Sequence, residues 1–184
     1  MALTDADRRL LDLVTPRIVT NALRSFGPRK AAGPDDLRPI ILQNLGPRAV
    51  EFITGIYRES LTTSTLPQKF REMKVAFLPK DKPDKTNAKS CRPITLSNFL
   101  LKGLERVVQW HLQETILKKT LRHQHAYTKN RSCDTALSEA VHKIERGFQT
   151  KKHTLVVSLD CSGTFDNITF ESSAAALRRM DVPP

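Results

Sequence analysis

A chain of 184 residues with 39% hydrophobic residues holds enough apolar material for one core, or for one core and part of a larger multi-lobed fold. Its formal net charge of +11 is concentrated in residues 69–152, which carry 19 Lys and Arg against 8 Asp and Glu, so a basic surface is expected, one that faces nucleic acid or an anionic membrane or is simply a solvated lysine-rich face. Three cysteines, Cys91, Cys133 and Cys161, cannot close a disulfide framework and lack zinc-ligand spacing, and no apolar run nears the roughly 18 residues of a membrane span. The amino terminus carries Asp5, Asp7 and Asp12 where a secretory signal needs a basic start. The expected setting is a reducing, intracellular one, nucleus or cytoplasm, without membrane insertion.

Along the chain, Thr4 can cap a first short helix and residues 18–23 form a second. Residues 26–36 are rich in Gly, Pro and Asp and predict turns that separate this leader from the rest of the chain. From 47 to 61 the positions Val50, Phe52, Ile53, Ile56, Tyr57 and Leu61 recur at helical spacing, with Pro47 suited to the first turn. Residues 74–78 predict a short strand closed by Pro79, and the charged run 80–89 a solvated hairpin loop. Ser97 or Asn98 can cap a long helix to about Lys118, with Leu101, Leu104, Val108, Leu112 and Ile116 as its inner face. After a loop over 120–131, Ser132 caps a helix with Leu137, Val141, Ile144 and Phe148 on one side, ending near Gly147 and Lys151-Lys152. Residues 154–159 are β-branched and almost continuously apolar, which predicts a buried central strand; residues 170–180 are alanine-rich and predict a last helix.

The strand predicted at 154–159 runs into Asp160-Cys161-Ser162-Gly163-Thr164-Phe165-Asp166. A carboxylate at the end of a buried strand carries a large desolvation cost unless it is hydrogen-bonded or faces a cation. Magnesium meets that need with hard oxygen ligands, and phosphoryl-transfer enzymes often use two such ions. The plainer alternative is that Asp160 and Asp166 cap the following turn or helix. In Leu78-Pro79-Lys80 and Cys91-Arg92-Pro93-Ile94, a Lys and an Arg on opposite arms of a hairpin could clamp a triphosphate, or be two ordinary surface cations. His123-Gln124-His125 has no Cys or acid at ligand spacing and is assigned no site.

Several of these segments, in order, resemble non-LTR (LINE-like) retrotransposon reverse transcriptases. The resemblance lies in Gly33-Pro34-Asp35-Asp36; Leu66-Pro67 with Lys74-Val75-Ala76-Phe77-Leu78-Pro79-Lys80; Arg92-Pro93-Ile94-Thr95-Leu96-Ser97; and Lys102-Gly103-Leu104-Glu105-Arg106. It continues through Gln124-His125-Ala126-Tyr127 with Arg131-Ser132-Cys133, then Ser158-Leu159-Asp160 with Thr164-Phe165-Asp166. Order and interval carry more weight than any one motif. The sequence departs from the family pattern at Ala126 and Thr128, where Gly and a basic residue are usual, and at Thr164, where Ala is usual.

The resemblance implies an α/β (α+β) right-hand polymerase: mostly helical fingers with a small β-hairpin, and a partial palm with a central strand. It divides the chain into a helical leader (1–27), fingers (28–152) and the start of the palm (153–184), which stops before the aromatic-Ala-Asp-Asp motif. It implies that Asp160 is a metal-binding catalytic carboxylate, with the Cys161 backbone beside the same metal, Mg2+ or Mn2+. Lys80 and Arg92 then hold the incoming triphosphate, Phe165 is a steric gate against the ribose 2′-hydroxyl, and Asp166 is a supporting residue. Lys82, Lys85 and Lys89 track template phosphates. The implied partners are an RNA template, a DNA primer and deoxynucleoside triphosphates. Two alternatives stand beside this: a non-catalytic retroelement-derived nucleic-acid-binding protein, and a helical interaction domain whose charge is incidental.

Overall fold

Proline opens three of the described helices, at a position where its missing N–H costs nothing and its fixed φ suits the first turn. The computed structural model describes residues 12–79, 90–119, 123–161, 163 and 167–182. In chain order its elements are α1 (Pro16–Arg24), α2 (Pro39–Gln43), α3 (Pro47–Thr62), α4 (Gln68–Arg71), β1 (Met73–Pro79), β2 (Cys91–Ser97), α5 (Phe99–Lys119), α6 (Cys133–Gln149) and α7 (Phe170–Arg179). The helix expected to start at Thr4 and the loop 80–89 fall outside the described residues.

The chain divides into two units, residues 1–111 and 112–184. In the first, α1, α2, α3, α4 and the front of α5 close over one core. It comprises Val19, Ala22 and Leu23; Leu42; Val50, Ile53 and Tyr57; Phe70; and Phe99, Leu101, Leu104 and Val107, with Val14 from the preceding segment. Helical spacing predicted Val50, Ile53, Tyr57, Leu101 and Leu104 among these, but Phe52 faces solvent at 72% exposure and Val107 joins Leu101 and Leu104 inside. The fully buried Tyr57 keeps its hydroxyl satisfied by donating to the Leu100 carbonyl at 2.5 Å. Burial pushes that phenol well above its ordinary pKa. Gly103 makes the contact fit, since a β-carbon there would lie 2.5 Å from the Tyr57 hydroxyl.

Strands β1 and β2 form an antiparallel ribbon, pairing from Met73 with Ser97 to Pro79 with Cys91. Its side chains are largely exposed, so packing does not hold it; its base does. Buried Asn98 donates from Nδ2 to the Lys69 carbonyl of α4 (3.0 Å) and accepts at Oδ1 from the Leu101 amide (2.7 Å). One side chain thus caps α5 and ties together the elements before β1 and after β2.

In the second unit, Ser132 caps α6 through a reciprocal box with Thr135, and Thr169 caps α7 by accepting from the Ser172 amide at 3.1 Å. Both helices lie where the sequence predicts them. Their burial differs: no described residue of this unit is fully buried, and Leu137, Val141 and Phe148 are exposed. The expected central strand is corrected outright. Residues 154–159 are irregular, with Leu155 at 87% and Leu159 at 88% exposure. A strand exists by pairing its backbone with a neighbour, and among the described residues the only sheet is the β1-β2 ribbon.

Candidate nucleotide and nucleic-acid site

The Gly33-Pro34-Asp35-Asp36 motif acquires a structural reason in the first unit. A β-carbon on Gly33 would meet the Asn98 backbone nitrogen at 2.7 Å and the Ser97 carbonyl carbon at 2.8 Å, so only glycine lets this loop reach the base of the ribbon. Asp35 Oδ1 then accepts from the Leu37 amide at 3.2 Å, closing the turn. The loop and the Arg92 to Asn98 segment, distant in sequence, form one joint.

On the ribbon, Arg92 pairs in register with Leu78, two residues before Lys80. Its side chain is exposed, and among the described residues its guanidinium has no carboxylate partner. A guanidinium presents five donors on a planar fork, a geometry suited to an anion. Lys80, Lys82, Lys85 and Lys89 lie outside the described residues.

In the second unit, Asp160 follows the irregular segment 154–159, is exposed, and has no hydrogen bond or ion pair among the described residues. Cys161 beside it is also exposed. Phe165 and Asp166 are outside the described residues. A carboxylate next to a peptide carbonyl is a hard-oxygen donor set, which suits Mg2+ or Mn2+ and not a thiolate-seeking metal. Among the described residues no group of three or more His, Cys, Asp or Glu is gathered for a metal, so Asp160 would hold such an ion only with further ligands.

Sequence reasoning passed over one cluster. His123 Nδ1 and His125 Nε2 both meet the carboxylate of Glu139, the latter at 2.9 Å, and Lys143 Nζ reaches the same group at 2.8 Å. His125 Nδ1 lies 2.9 Å from the Thr135 hydroxyl of the α6 capping box. Arg131 donates to the Gln124 carbonyl at 2.7 Å. Lys143 first, then His125, with a smaller contribution from His123, hold the Glu139 carboxyl down to about 2. The signal was present: once Ser132 caps α6, Thr135 and Glu139 are four residues apart on one face. The cluster fastens the Gln124-His125-Ala126-Tyr127 segment to α6.

These motifs correspond to a known family. A family model described as reverse transcriptase (RNA-dependent DNA polymerase) matches residues 79–184, and the chain belongs to that family. Within it, the likeness is to polymerases of the non-LTR, LINE-like kind. The chain is 21% identical over 170 residues to a protein of Drosophila melanogaster named probable RNA-directed DNA polymerase from transposon BS, covering 90% of this chain and 18% of that protein. It is 26% identical over 153 residues to the retrovirus-related Pol polyprotein from type-1 retrotransposable element R1 of Bradysia coprophila, covering 82% of this chain and 15% of that protein. The chain thus spans less than a fifth of the length of either relative.

Proposed function

We propose that this chain forms the fingers (28–152) and the first part of the palm (153–184) of a right-hand, RNA-directed DNA polymerase that extends a DNA primer on an RNA template. The observation that carries this reading is Arg92, exposed and without a carboxylate partner among the described residues, set on a ribbon two residues short of the Lys80 register, in a chain whose family match continues through Asp160. In this reading Arg92 grips a triphosphate by paired donors and Lys80 adds a point charge, so both stabilise charge on the phosphoryl group as it transfers. Asp160 and the Cys161 carbonyl hold a divalent cation, Mg2+ or in its place Mn2+. When bound, that ion neutralises developing charge on the phosphate oxygens and lowers the barrier to attack by the primer 3′-hydroxyl. Phe165 bars a 2′-hydroxyl from the sugar position. Lys82, Lys85 and Lys89 follow the template backbone.

The test is the affinity of the 184-residue chain for an RNA–DNA template-primer across a salt series. Phosphate contacts release counterions, so log affinity is expected to fall steeply and linearly with log salt. An affinity indifferent to salt would favour a helical interaction domain with incidental charge.

A further inference from the structure

Outside the ribbon, the first unit carries a second cationic feature, in the Lys102–Arg106 motif, to which the proposed polymerase chemistry gives no role. On α5, Lys102 and Arg106 stand one helical turn apart and share a face. Lys102 Nζ lies 4.4 Å from the centre of the Phe99 ring, and the Arg106 guanidinium carbon lies 5.2 Å from the centre of the Phe26 ring. The two rings meet edge to face with centres 5.3 Å apart. An aromatic pair thus underlies a cation pair and fixes both charges in place.

Both cations are half-buried, yet among the described residues neither has a carboxylate partner or a hydrogen-bond acceptor. Glu105, between them in sequence, is exposed and pairs with neither. A guanidinium held over a ring in this way keeps its outward N–H donors open to an anion. Phe26 opens the loop that bears Arg29 and Lys30, both exposed and likewise without a carboxylate among the described residues. The stem of Lys30 lies over Gly27, 3.5 Å from where a β-carbon would sit. Fixed cations on the helix are therefore continued by adaptable ones on the adjoining loop. This suits an extended polyanion better than a single small anion.

We infer that Lys102 and Arg106, seated on the Phe99–Phe26 pair and extended by Arg29 and Lys30, form a binding site for backbone phosphates of nucleic acid, separate from the β1-β2 ribbon. The inference rests on the proposed polymerase reading for the identity of the polyanion. Its test compares the full chain with Lys102→Gln/Arg106→Gln in binding a fluorescein-labelled RNA–DNA template-primer across a salt series. A control, Lys151→Gln/Lys152→Gln, removes the same charge from the second unit. Circular dichroism and thermal melting check that each variant folds, and Phe26→Leu keeps every charge while removing one ring.

The site predicts that the Lys102/Arg106 variant loses about 2 from the slope of log affinity against log salt, roughly 1 for each phosphate contact removed. The Lys151/Lys152 control should change it much less, Phe26→Leu should weaken binding without that loss of slope, and deoxynucleoside triphosphate binding should be unaffected. A slope that stays at the parent value, or falls equally in the control, overturns this site while leaving the polymerase reading intact. Loss of triphosphate binding in place of template-primer binding also overturns it. If the parent chain binds with no salt dependence, the polymerase reading itself fails and the site falls with it.

Discussion

Two glycines on helices show how one hydrogen atom can carry opposite consequences. Alanine is favoured over glycine inside a helix by about 1 kcal/mol. At Gly55 in α3 an added β-carbon meets nothing within 4 Å, whereas at Gly103 it would press on the Tyr57 hydroxyl and on Leu23. Overpacking a tight core typically costs about 1–3 kcal/mol. Gly55→Ala is therefore expected to raise the melting midpoint, and Gly103→Ala to lower stability by up to about 2 kcal/mol, in thermal or urea unfolding. If Gly103→Ala were as stable as Gly55→Ala, the Tyr57–Leu100 contact would not be the constraint described. At the same scale, the Glu139 carboxyl is lowered from 4.5 to about 2 by Lys143 and the two histidines. A depressed carboxylate pKa contributes stability that is fully present above its unfolded value and is lost as pH falls through its folded value. The protection factor of amides in the 123–131 segment, which is the exchange rate corrected for its intrinsic pH dependence, should therefore hold above pH 4.5 and fall as pH drops towards 2. Glu139→Gln should lower that protection throughout; an unchanged profile would remove the carboxylate from this role.

At the scale of elements, the sequence predicted the longer helices because their signals are local, while the short α2 and α4 and the caps Thr15 and Thr169 were not read from it. Thr15, Asn98, Ser132 and Thr169 accept from backbone amides at the starts of α1, α5, α6 and α7, and Pro47 opens α3. Periodicity also identified the side of each helix that seeks cover. It could not tell whether cover is present, and α6 shows the difference: its apolar side is right in pattern, yet Leu137 and Phe148 face solvent. Residues 154–159 depart from expectation for a related reason. Their β-branched composition favours extended backbone, but a strand needs a hydrogen-bonding neighbour that composition does not encode. The site was legible only as far as motif order reached. Asp160 and Arg92 were singled out by motif order, and their roles are proposals, whereas the meeting of His123 and His125 with Glu139 depends on a loop folding back onto α6. The platform of Phe26 under Arg106 depends likewise on tertiary contact.

The whole chain has an uneven distribution of stability. Every fully buried apolar side chain among the described residues belongs to residues 1–111, and none to residues 112–184. Protection from exchange follows burial and cooperative packing. Amides of α3 and the front of α5 should thus be protected the longest, and those of α6 and α7 should exchange through smaller openings. Uniform protection across both units would contradict this division. The proposed chemistry follows the same division: phosphate-binding cations lie on the unit with a core, and the carboxylate lies on the unit without one. Less than a fifth of either relative is matched by this chain.

The central claim, that Asp160 is a metal-holding carboxylate of a polymerase, is tested most directly by primer extension on an RNA template. Asp160→Asn is compared with the parent residue in a completed enzyme that contains this chain, with template-primer affinity measured alongside. Extension is expected to be abolished while binding is largely kept. Extension by the Asn variant at the parent rate would contradict the claim and remove Asp160 from the site.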